Sequence, residues 1–151
     1  MKQKVFLAIA VFFAVSTFNL NVYAQVDKIV GLWKTIDDEK NEEKSYVRIF
    51  KSTDGMYYGK IEKLLKEPQD KKCDKCPGHL KNQLLVGMVI LKQMEPDGNN
   101  LDEGKILDPG NGKWYYCYME LDGSNKDKLI VRGSLDSWGV AGRTQYWYRV
   151  K

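Results

Sequence analysis

KWYYCYMEL, residues 113–121, is the stretch on which the fold turns. Its nine residues alternate two sets. Tyr115, Cys117, Met119 and Leu121 are uncharged, whereas Trp114, Tyr116, Tyr118 and Glu120 mix rings with an acid. A period of two is that of a strand, because successive Cβ atoms point to opposite faces of the pleat. The segment therefore predicts a strand with its uncharged set turned to a core. Aromatic residues on both faces would make an open edge adhesive, and closing the sheet on itself removes the edge.

Outward from that strand, short runs rich in Tyr, Val, Ile and Trp recur between Gly, Pro, Asn and Asp clusters. They predict strands at residues 31–36, 46–51, 56–65, 104–107, 129–135 and 143–150. An acidic, polar turn is expected over residues 37–44, and Asp54-Gly55 is a strong hairpin signal. Residues 84–94 are apolar and fit a strand or a short helix equally. Turns are expected at residues 96–100 and 108–112, and a long polar loop at about 66–83. Roughly eight closely spaced strands without a long helical pattern predict an all-β, antiparallel up-and-down barrel, with a sandwich as the alternative. Eight strands enclose a space that side chains fill or that holds one small ligand. Residue order leaves that choice open.

The first residues predict export. Lys2 and Lys4 precede an unbroken apolar run of eleven residues, 5–15, and Val22-Tyr23-Ala24 suits cleavage before Gln25. Eleven apolar residues are too few to span a bilayer core of about 30 Å, so the expected product has no stable membrane insertion after cleavage. The expectation is a signal peptide over residues 1–24, a single barrel domain over residues 25–151, and a periplasmic or secreted location. The chain has 24 basic and 20 acidic residues, and cleavage removes two lysines. The remaining balance, 22 against 20, is far from that of a nucleic-acid binder. The densest basic stretch, residues 60–81, has seven lysines against four acids and reads as a solvated loop and strand edge.

KKCDKCPGHL, residues 71–80, holds two of the three cysteines and the lone histidine. In an exported chain Cys73 and Cys76 most simply form a disulfide that clips the long loop. A second reading places zinc on Cys73, Cys76 and His79, with Asp70, Asp74 or Cys117 to complete four ligands. In a third, redox reading, Lys71, Lys72 and Lys75 would lower the thiol pKa values, although no helical, parallel setting surrounds the motif. Cys117, in mid-strand, reads as a buried small hydrophobe. The expected chain is not an enzyme and takes no cofactor: there is no nucleophile–base arrangement and no phosphate loop. Glu62 and Glu120 would serve acid–base chemistry only if the register made them face each other.

Gly31-x-Trp33 in the first strand with Arg149 in the last resembles the lipocalins, in which such a Trp plugs one barrel end and a late Arg packs across it. The chain is also similar to the bacterial exported family called domain of unknown function 2147. The matching stretches are Gly31-Leu32-Trp33, Tyr58-Gly59-Lys60-Ile61, Gly87-Met88-x-Ile90-Leu91, Gly104-Lys105-Ile106-Leu107-Asp108-Pro109 and Gly112-Lys113-x-Tyr115. Leu129-x-Val131-Arg132-Gly133 and Gly142-Arg143-Thr144-x-x-Trp147-x-Arg149-Val150 complete them. The resemblance implies a small exported β-barrel and brings no catalytic residue or ligand.

The functional expectation is a non-catalytic exported barrel that binds a small apolar or amphipathic molecule. Tyr58, Trp138 and Arg143 would border its entrance, because glycines around Trp138 suit a lip at a barrel mouth. Trp33 and Arg149 would close the base, and Arg132 would be a solvated outward charge. The alternative is a cell-envelope protein with a filled barrel whose aromatic outer face binds a protein that the sequence does not identify.

Overall fold

The alternation in residues 113–121 is realised as a strand in the computed structural model, which describes residues 26–151. The signal peptide expected over residues 1–24 lies outside the described residues. In chain order the strands are β1 (Gly31–Asp37), β2 (Glu42–Lys51), β3 (Tyr57–Leu64), β4 (Val89–Asp97), β5 (Asn100–Asp108), β6 (Lys113–Leu121), β7 (Lys128–Ser134) and β8 (Gly142–Arg149). Each pairs antiparallel with the next, and β8 returns to β1 through Trp33 opposite Arg149 and Lys34 opposite Tyr148. The sheet is a closed up-and-down barrel, so no long edge is left unpaired.

The inward face carries the uncharged set of β6, with Cys117, Met119 and Leu121 buried, together with Val47, Ile49, Tyr57, Leu91, Leu101, Leu129 and Trp147. Barrel closure needs local bends, and bulges supply them. Register shifts fall between Thr35 and Ile36, between Tyr46 and Val47, and between Leu101 and Gly104. Gln93 and Glu103 have φ of 55° and 58° in the β4–β5 pair. Gly104 sits in the same crowded place. A Cβ there would lie 2.3 Å from Met94 Sδ and 2.7 Å from the Lys92 carbonyl oxygen.

Four boundaries differ from expectation. The β2 strand starts at Glu42 rather than at residue 46, so the acidic turn expected over residues 37–44 narrows to 38–41. The β4 strand runs through Pro96 to Asp97, and the chain reverses at Gly98-Asn99, with Gly98 at φ 59°. The β5 strand starts at Asn100 rather than Gly104, because the bulge at Asp102-Glu103 hides the alternation from a linear reading. The apolar segment 84–94 divides, its first residues closing the long loop and the rest forming β4.

One end of the barrel is sealed. A 3-10 turn, Asp27–Ile29, brings Val26 and Ile29 beneath Trp33, and all three are fully buried. The Trp33 indole N–H donates to the Ile29 carbonyl at 2.7 Å. The Arg149 guanidinium lies 4.2 Å from the Trp33 ring centroid and donates to the Val30 and Lys28 carbonyls.

Candidate functional site: a cavity open at one end of the barrel

Antiparallel order places the β1–β2 turn (38–41), the long loop (65–88), the β5–β6 turn (109–112) and the β7–β8 loop (135–141) at the other end. Between them opens a cavity of about 1090 Å³. Ile61, Leu85, Ile90, Ile106, Val131 and Trp147 contribute to its apolar walls. At this end the interior is therefore not filled by side chains, whereas Ile49, Tyr57, Met94, Leu101, Met119 and Leu129 are buried in the core. Two buried hydroxyls on the wall, Thr35 Oγ1 and Ser45 Oγ, satisfy each other at 2.8 Å. Trp147 holds the one buried side-chain nitrogen or oxygen, among the described residues, that has no hydrogen-bond partner: its indole Nε1.

The rim is polar and carries both signs of charge. Arg143 bonds Asp38 and Glu39, each at 3.0 Å, and Lys71 pairs with Glu67 at 2.7 Å. Gln145 donates to Asp38 Oδ1 at 3.0 Å. Lys44, Lys72, Lys75, Asp74 and Asp108 also border the opening. The arrangement suits a molecule whose apolar part enters the barrel while its polar end stays at the rim.

The long loop folds across part of this opening. Cys73 and Cys76 are disulfide-bonded, as the leading reading of the motif expects. His79 is exposed on a 3-10 turn, Gly78–Leu80. The loop is held further by an isolated bridge between Lys72 and Leu84 and by three backbone bonds: Cys73 N–H to Gln83, Asn82 N–H to Cys73 and Leu85 N–H to Lys71. Opening the disulfide with Cys73→Ala is expected to cost about 2 kcal/mol, the chain entropy of a closed loop this short. The variant's urea midpoint should no longer respond to reductant. An unchanged midpoint would mean that the bridge and backbone bonds hold the loop alone.

The residues expected at the entrance separate. Arg143 lies on the rim. Trp138 stands on the β7–β8 loop at the same end, 89% exposed, outside the cavity lining. Tyr58 lies on the outside of β3, stacked on Phe50, with its hydroxyl donating to Asp54 at 2.7 Å. It borders a second, outer cleft of about 690 Å³ together with His79, Leu84, Val89, Lys92 and Trp114. Glu62 and Glu120 do not face each other: Glu62 pairs with Arg48 at 2.7 Å, and Glu120 accepts from Tyr118 at 3.0 Å. Cys117 is buried, and burial pushes its thiol pKa up, which keeps it protonated.

Arg132 departs most from expectation. It is half-buried rather than solvated, and its guanidinium donates to the Gly139 and Val140 carbonyls and to Thr144 Oγ1. Sequence reasoning also missed Asp38, Glu39 and Gln145, which looked like turn and strand-surface residues. Arg143 bonds Asp38 and Glu39, and Gln145 bonds Asp38, contacts that each span more than a hundred residues and that no local pattern encodes.

Comparison with known proteins agrees with this architecture. The sequence pattern of a family described as "Uncharacterized protein conserved in bacteria (DUF2147)" matches residues 31–149. A solved structure from Helicobacter pylori, protein HP1028, described as belonging to the lipocalin family, superposes with a TM-score of 0.71. It is 25% identical over 81% of this chain and 82% of its own. A search of curated proteins finds no match.

Proposed function

We propose, from the premise that this chain belongs to the DUF2147 family of uncharacterised bacterial proteins, that it is an exported, non-catalytic carrier of one small amphipathic molecule. The observation that supports this reading is the cavity of about 1090 Å³, apolar on its walls and charged at its rim. Ligand pockets commonly occupy about 300–1,000 Å³, so the space is large enough for one apolar chain or ring system. Burial of such a group, at about 25 cal/mol per Å² of apolar surface, drives binding, while the rim keeps the polar end solvated. The likeness to a protein placed among the lipocalins points the same way. Export rests on the lysine-flanked apolar run and the Val22-Tyr23-Ala24 site. It is checked by the mass of the protein recovered from outside the cytoplasm, which should start at Gln25.

Gly133 supplies the binding test. It lies on the inner face of β7 at the cavity wall, opposite buried Cys117. A Cβ there would meet Ile106 and Tyr115 at ordinary contact distances of 3.5 and 3.6 Å. Gly133→Phe should therefore fold, with its ring projecting into the cavity. Anilinonaphthalenesulfonate, an amphipathic fluorescent probe, is expected to bind the native protein and to bind this variant about tenfold or more weakly, ~1.4 kcal/mol. Equal binding by a folded Gly133→Phe would remove the cavity as the site.

A further inference from the structure

Leu135, Trp138 and Val140 project from the β7–β8 loop with 68%, 89% and 79% of their surface exposed. Such a concentration of bare apolar side chains on one seven-residue loop is unusual for a solvated turn. The loop beneath them is built rather than loose. The Asp136 carboxylate accepts from the N–H groups of Trp138, Val140 and Ala141 at 3.1, 3.0 and 2.7 Å. Leu135 N–H donates to Ala141, and Gly139 N–H to Asp136. Arg132 reaches up from β7 to take the Gly139 carbonyl at 2.8 Å through Nε and at 2.5 Å through Nη2. Ser134 Oγ donates to the Asp136 carbonyl at 2.7 Å. Five of the loop's seven backbone N–H groups, those of residues 135 and 138–141, and four of its carbonyls, those of residues 136 and 139–141, thus find partners within the protein.

We infer that this loop docks the open end of the barrel on a lipid bilayer surface with zwitterionic headgroups. Internal satisfaction of most backbone N–H groups lowers the cost of bringing a loop to a lipid interface, where headgroup-level water serves the groups that remain. Tryptophan suits that depth, with an apolar ring body and an N–H that stays at headgroup level. Area argues against a protein or a second copy as the occupant. Three side chains offer at most roughly 500 Å², so a stable protein interface, which buries ~800 Å² per partner, would have to draw the rest from the charged rim beside the loop. Charge argues for zwitterionic lipid. The cavity rim beside the loop carries five cations, Lys44, Lys71, Lys72, Lys75 and Arg143, against six acids, Asp37, Asp38, Glu39, Glu67, Asp74 and Asp108, and Asp136 adds one more acid within the loop. Such a rim matches a headgroup layer of both signs and has no net pull toward anionic lipid.

The position gives the contact a use. Leu135 and Ala141, at the two ends of the tip, are themselves part of the cavity lining. With the tip in the interface, the opening faces the headgroup layer, and an amphipathic molecule can pass between bilayer and barrel with little exposure to water. Docking goes beyond the carrier reading and does not require a loaded cavity.

The test is partition of the purified protein onto vesicles of phosphatidylethanolamine and phosphatidylcholine, read by co-sedimentation and tryptophan emission. Native protein is expected to bind with a blue shift, because Trp138 is the one fully bare indole while Trp33 and Trp147 are already buried. Trp138→Ala should weaken partition by about tenfold or more, as expected for withdrawing the surface of one large ring. Raising salt should leave it nearly unchanged. Gly133→Phe should still bind vesicles, so failure of docking and failure of the cavity reading give different patterns. Absence of partition, equal partition by Trp138→Ala, binding that requires anionic lipid and vanishes in salt, or Trp138-dependent self-association without vesicles would each overturn the inference.

Discussion

Trp33→Ala is expected to lower stability by about 3–5 kcal/mol, the range for removing a fully buried aromatic side chain. For a domain of this size that is a fall in melting temperature of about 10–25 °C. The cost has three sources. The indole is fully buried against Val26 and Ile29, so its loss opens a cavity at the sealed end. The Ile29 carbonyl loses its 2.7 Å donor. Arg149 loses the ring on which it rests at 4.2 Å, a contact contributing on the order of 0.5–2 kcal/mol. Trp33→Phe separates these contributions, since it keeps a ring and removes the N–H, and should fall between the native protein and Trp33→Ala. Thermal unfolding followed by circular dichroism is the measurement. A shift of only a few degrees for Trp33→Ala would mean that the sealed end is not where the barrel's stability resides.

Gly112→Ala is expected to cost about 2–4 kcal/mol although it adds a single methyl group. Gly112 has φ 75°, in the left-handed region, where a Cβ crowds the following carbonyl. A Cβ there would also fall 1.8 Å from the Lys75 carbonyl oxygen and 2.6 Å from its carbon. These are backbone atoms inside the disulfide loop, between Cys73 and Cys76, and they cannot swing aside as a side-chain tip can. The substitution must therefore lift the clip off the β5–β6 turn. Two readouts should move together: a lower urea midpoint, and faster reduction of Cys73–Cys76, which is almost wholly covered in the native protein. Gly98→Ala is a control for backbone conformation alone, because Gly98 also has positive φ but no atom within 4 Å of the added Cβ. If Gly112→Ala behaved like that control, the contact between clip and barrel mouth would carry no weight.

The two positions stand at opposite ends of the barrel and differ in how far the sequence announced them. Trp33, the third residue of β1 and paired with a late Arg149, could be picked out by resemblance. Gly112 was legible only as a turn glycine. That it must also make room for Lys75, 37 positions earlier, depends on where the long loop lands. Arg132 shows the same limit. Alternation along β7 correctly turns it away from the barrel axis, yet its role depends on a loop that folds back over it.

What the residue order determined by itself is local: the two-residue period of most strands, the glycine and Asp-Gly reversals, the three-residue separation that lets Cys73 bond Cys76, and through these an antiparallel all-β chain expected to close as a barrel. Only the tertiary structure decided that the barrel opens into a cavity at one end, that Arg143 lies on the rim among Asp38 and Glu39, that Tyr58 faces away from the opening, and that Trp138 stands clear of it. The physical reason is register. Each bulge inserts one residue, one residue reverses the face of everything after it, and the width of the enclosed space is the accumulated result of eight pairings.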